Sequence, residues 1–171
     1  MTGPRALLPT RDAVLAVLDT VMDPEVPVLS VRELGIVRDI EVDPQGAVTV
    51  VVTPTYSGCP AIDVIERDIL GALHAAGFAD AGIRTTYSPP WTSDWIPEPA
   101  RAKLKAYGIA PPTAATTSGD LVQLLRAPRT PQCPYCDSRE TEIRSEFGST
   151  ACKSICWCRS CGQPFEEFKS I

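Results

Sequence analysis

Apolar side chains first recur at a helical interval: Val14, Val17, Leu18 and Val21 share one face of the segment 10–22, which predicts an amphipathic helix behind a Thr10 cap. Asp23-Pro24-Glu25-Val26-Pro27 ends it, because its two prolines exclude continued helix and favour extended chain. Ser30-Val31-Arg32-Glu33 reads as a capping box for a single turn that Gly35 terminates. The period then changes. Ile36–Val42 sets Ile36, Ile40 and Val42 on one face with Arg38, whereas Ala47–Thr53 is apolar on both faces, and the turn Asp43-Pro44-Gln45-Gly46 joins them as a hairpin. The second strand is expected at the centre of a sheet. Helical spacing returns over Ala61–Ala76, with Ile62, Ile65, Ile69, Leu70 and Leu73 inward and Gly77 as the stop, and Ala81–Tyr87 reads as a third strand.

The order helix, strand, strand, helix, strand predicts an α+β domain over residues 10–108, since the long helix must cross the sheet before the last strand pairs. Its final piece is a helix from Pro97 to Tyr107 whose Arg101, Lys103 and Lys105 are expected in solvent. Residues 109–130 read as a linker, with Leu121–Leu125 as a short docking strand. Residues 131–171 make a second, small β domain.

That second domain carries the chemistry. Six of the seven cysteines lie in it, and four form two pairs, Cys133-Pro-Tyr-Cys136 and Cys158-Arg-Ser-Cys161, separated by 21 residues. Each pair can turn tightly enough to aim two thiolates at one ion, and Gly162 helps the chain fold around the second. The spacing predicts a zinc ribbon. No signal-peptide core precedes the first helix and no membrane-length apolar run occurs, so a soluble, cytoplasmic protein is expected, a compartment in which paired cysteines bind metal more often than they cross-link. Net charge is -5, and the stretch from Pro131 holds five basic against six acidic residues. A nucleic-acid-binding face is not expected on that balance.

Three further sets of residues stand out. Cys59, in Gly58-Cys59-Pro60, is expected at the start of the long helix with Pro60 in the first helical position, where amides and helix dipole favour thiolate; packing into a gap is the alternative. Asp23 and Glu25 are either a helix stop and a surface charge or companions of Cys59. If residues 152–158 form a strand, Cys152, Cys156 and Cys158 share a face, which brings Cys152 and Cys156 forward as additional thiol ligands beside the four. The one histidine, His74, reads as a helix-face residue, and no Glu-x-x-His pair for a diiron site exists, so no catalytic residue is assigned.

Asp23-Pro-Glu-Val-Pro-Val-Leu-Ser-Val, Leu34-Gly-Ile-Val-Arg-Asp39 and Thr53-Pro-Thr-Tyr-Ser-Gly-Cys-Pro60 resemble the MIP18 domain, associated with iron-sulfur cluster assembly. With Trp91-Thr-Ser-Asp-Trp-Ile96, Tyr107-Gly-Ile-Ala-Pro-Pro112 and Glu146-Phe-Gly-Ser-Thr-Ala-Cys-Lys153, nearly the whole chain resembles the D-subunit family of the phenylacetyl-CoA ring epoxidase. The resemblance implies a MIP18-like domain followed by a zinc ribbon, and a non-catalytic accessory subunit in aerobic phenylacetate breakdown. Its partners would be the other epoxidase subunits, above all the iron-sulfur reductase or the diiron oxygenase, with a homodimer left open. The implied role is metal or iron-sulfur maturation with Cys59, Asp23 and Glu25 handling iron or sulfur; a docking scaffold is the alternative. Zinc is the expected ion of the tail, with an iron-sulfur cluster the other option.

Overall fold

The computed structural model describes residues 9–113 and 129–171. The chain divides into two compact units between Trp91 and Thr92.

In the first unit, α1 spans Arg11–Leu18, and Thr10 caps it by accepting from the amide of Ala13 at 3.2 Å. The helix stops short of Met22, its predicted end, because Thr20 and Val21 donate to Val17 and Leu18 at 3.0 and 3.2 Å and tighten the last turn. Val21 stays buried beyond it. The capping box forms reciprocally: Ser30 N–H donates to Glu33 Oε2 at 3.0 Å, and Glu33 N–H donates to Ser30 Oγ at 3.1 Å. The predicted hairpin follows as β1, Val37–Val42, and β2, Val48–Val52. Between Val37 and Asp39 the register slips, which leaves Arg38 as an extra residue. That bulge releases Arg38 to solvent while Val37, Ile40 and Val42 face Val52, Val50 and Val48.

Helix α2, Ile62–Ala75, buries Ile65, Ile69 and Leu73, and Gly77 at φ 94° ends it, with Phe78 N–H closing back on Leu73 O at 3.0 Å. The crossover delivers β3, Ala81–Thr85, parallel to β2, giving the order β1-β2-β3 with β2 central. Trp91, which no periodicity singled out, is buried and donates from Nε1 to Leu34 O at 3.0 Å.

The second unit begins before the cysteines. A short 3-10 turn, Ser93–Trp95, leads to α3, Glu98–Tyr107, then β4, Ile109–Ala110. Here the structure departs from the expected boundary near Gly108: β4 pairs parallel with β7, Pro164–Phe168, so the helix and its strand belong with the cysteine-rich segment. The sheet is completed by β5, Thr141–Ser145, and β6, Lys153–Cys158, in the order β4-β7-β6-β5. Nor is Arg101 simply solvated. It donates to the carbonyls of Ile96 at 2.9 Å, Ser93 at 2.8 Å and Pro112, holding the chain on both sides of α3. The predicted docking strand at Leu121–Leu125 lies outside the described residues. No helix among the described residues is long and apolar enough to cross a membrane.

Candidate metal centre

Two tight turns face each other in the second unit. In the first, Cys133 N–H donates to Ser138 O at 2.9 Å and Asp137 N–H to Cys133 O at 3.0 Å. In the second, Cys158 N–H donates to Gln163 O at 3.0 Å and Gly162 N–H to Cys158 O at 2.9 Å. The residue after each pair, Asp137 or Gly162, takes a left-handed conformation, at φ 61° and 69°. Glycine reaches that region freely, and aspartate is among the few side chains that tolerate it. The turns are tied together by Ser138 Oγ and Ser160 Oγ at 2.7 Å, with Arg159 N–H donating to Glu140 O at 2.8 Å.

This arrangement brings the sulfurs of Cys133, Cys136, Cys158 and Cys161 within 4.8 Å of one another. Cys133 and Cys161 stand 3.7 Å apart, Cys136 and Cys158 3.6 Å. A tetrahedron with metal–sulfur bonds of about 2.3 Å has edges of about 3.8 Å, so the four thiols fit such an ion with little movement. A set of four soft sulfur donors suits zinc or iron. Cys133 and Cys158 are buried, and Cys136 and Cys161 are exposed, giving the centre an inner and an outer side. The amide of Cys161, then the Cys136 and Cys161 thiols and last the Ser160 amide, hold the Cys158 thiol down to about 7 against the opposing effect of burial, toward the ionised form that ligation needs.

Cys152 and Cys156 do not join the group. The expected parity holds, since Cys152, just before β6, and Ser154, Cys156 and Cys158 within it are all buried, but each same-face step moves roughly 7 Å along a strand, beyond the reach of a shared ion. Cys156 instead packs with Ala110, Cys133, Cys158 and Phe165, and burial pushes its thiol up to about 11. Cys152 Sγ lies 3.0 Å from Thr150 Oγ1.

In the first unit, Asp23 is buried and its Oδ1 accepts from the amides of Glu25 at 2.8 Å and Val26 at 2.7 Å, folding the chain through the two prolines. Glu25 is half-buried beside it. Helix α2 starts at Ile62, so Pro60 does not occupy its first position: Cys59 O accepts from Ile62 N–H at 3.3 Å, and an extra turn separates the thiol from the helix. Cys59 is 8% exposed and follows Gly58 at φ 91°. Cys59, Asp23 and Glu25 do not converge into a ligand group; among the described residues only the four tail cysteines do. His74 is exposed on α2. The left-handed Asp137 and the serine bridge escaped sequence reasoning, although an aspartate directly after a Cys-x-x-Cys pair was a usable signal.

The chain thus combines an α+β unit with a parallel crossover and a second, ribbon-like β unit that carries a four-cysteine cluster. Residues 11–81 match the family model described as iron-sulfur cluster assembly protein, and residues 117–169 match the PaaD zinc beta ribbon domain. The chain is 40% identical over 163 residues to the D subunit of the putative 1,2-phenylacetyl-CoA epoxidase of Escherichia coli strain K12, covering 95% of this chain and 94% of that one. It therefore belongs to the family of 1,2-phenylacetyl-CoA epoxidase D subunits. An Fe-S protein maturation auxiliary factor of Porphyromonas gingivalis is 36% identical over 98 residues, 57% of this chain and 92% of the relative. Among solved structures, a conserved hypothetical protein of Thermotoga maritima is 32% identical with a TM-score of 0.51, covering 58% of this chain and 98% of that one.

Proposed function

We propose that this chain is an accessory subunit of the phenylacetyl-CoA epoxidase complex, acting in the cytoplasm to mature or assemble the metal or iron-sulfur centres of its partner subunits. The observation that carries the reading is the near full-length likeness to an epoxidase D subunit, together with a first unit like the Fe-S maturation auxiliary factors. Its partners are the epoxidase's iron-sulfur reductase or its diiron oxygenase. Zinc held by Cys133, Cys136, Cys158 and Cys161 acts as a structural cross-link of the second unit. This chain's own residues then serve by position: Asp23 shapes the loop that carries Glu25, and Cys59 is the thiol available to iron or sulfur once its turn opens.

The test is the iron content and activity of the partner subunits from a deletion strain. Iron-poor partners with lost activity support maturation. Full iron loading with normal activity would reject it. A scaffold reading is favoured by one observation, the burial of Cys59 at 8% exposure; full loading with lost activity, and a silent Cys59→Ala, would select it.

A further inference from the structure

The ribbon's inner wall is not made by the ribbon alone. Gly108 ends α3 at φ 93°, and the next two residues enter the sheet as β4, with Ile109 opposite Glu166 and Ala110 opposite Glu167. Ala110 is 1% exposed and sits in one cluster with Cys133 and Cys158, the two inner ligands. On the outer side, a Cβ at Gly108 would come within 2.8 Å of the Tyr135 hydroxyl and 3.3 Å of its ring carbons. Tyr135 is the third residue of Cys133-Pro-Tyr-Cys136, so the first turn of the metal centre lies directly against this glycine. Lys105 Nζ forms an ion pair with Asp137, the left-handed residue that closes the same turn.

We propose that Lys105–Ala110 is a built-in brace of the metal centre, with Gly108 and Ala110 as positioning residues that set how firmly the four thiolates hold their ion. The brace lies ahead of residues 117–169, the stretch matched by the ribbon family, so metal retention is decided partly outside that stretch. Its logic is steric and conformational. A Cβ at Gly108 would push aside the exposed end of Tyr135, and the same residue must take a left-handed turn to feed Ala110 into the core, a conformation that glycine adopts without strain. The inference rests on reading the four cysteines as a metal site.

The experiment uses the full chain loaded with zinc or cobalt(II). Zinc release to a chromophoric chelator gives the rate, and the thiolate-to-cobalt and d–d absorption bands report site geometry. Gly108→Ala should release zinc about tenfold faster, the effect of forcing a side chain into the left-handed region, and shift the cobalt bands. Gly108→Asn tolerates that backbone and isolates the contact with Tyr135; it too should speed release, and should have no further effect when added to Tyr135→Ala. Wild-type release rates and unchanged bands in Gly108→Asn would overturn the proposal, including where Gly108→Ala fails to fold. Failure of the wild-type chain to bind stoichiometric zinc or cobalt would instead overturn the metal reading beneath it.

Discussion

Withdrawing the metal should unfold the second unit and leave the first standing. The cluster around the inner thiols consists of Ala110, Cys133, Cys156, Cys158 and Phe165, with Ile143 against it, and only Phe165 and Ile143 are large hydrocarbons. Phe165 is fully buried but Ile143 only partly so, and outside this cluster the unit also buries Ile96, Leu104, Ile109 and Phe168. The five buried side chains are worth about 8–15 kcal/mol before the entropy of ordering the unit is subtracted, against about 10–16 kcal/mol from a structural zinc at neutral pH. Since whole domains are stable by about 5–15 kcal/mol net, loss of the ion removes about as much as the unit's entire stability. The first unit has no such dependence, being built on Val14, Leu18, Val50, Val52, Ile65, Ile69 and Leu73, all nearly or fully buried. Hydrogen exchange before and after chelation separates the two. Amides of β5, β6 and β7 should lose protection, together with those of α3 and β4, while β1, β2, β3 and α2 keep theirs. Persistent protection of β6 and β7 in verified metal-free protein would refute the argument.

Other substitutions probe single features. Ser30→Ala removes one half of the reciprocal cap and should lower the stability of the first unit by about 1 kcal/mol in chemical denaturation. Ile69→Ala, at a fully buried position of α2, should cost about 2–5 kcal/mol by the same measurement without altering zinc content. Gly148→Ala would place a Cβ 2.8 Å from Glu166 Oε1 and 3.2 Å from the Lys153 backbone; such overpacking should lower the melting stability of the zinc-loaded second unit by about 1–3 kcal/mol.

Much of this architecture was legible because its signals are local and periodic. The capping box at Ser30–Glu33, the central place of Val48–Val52 and the two cysteine turns all follow from spacing that any fold containing them must honour. What escaped depends on long-range pairing. Ile109–Ala110 is two residues long, too short to show a period, and only its pairing with β7 assigns it to the second unit. Arg38 shares the parity of its apolar neighbours, and the bulge that frees it is visible only in register with β2. The same limit applies to Cys59: Gly-Cys-Pro resembles a helix start, but the hydrogen bond from Ile62 to Cys59 spends a further turn before the helix begins.

The sheet order β4-β7-β6-β5 leaves β5 with a single partner strand among the described residues. A bare strand edge invites a second molecule to add on, the first step of uncontrolled aggregation. Here Glu142 is ion-paired to both Arg144 and Arg159, so the outermost strand presents fixed, alternating charge that an incoming strand would have to strip of water. Among the described residues, that flank of the ribbon is therefore guarded by charge against the addition of another strand.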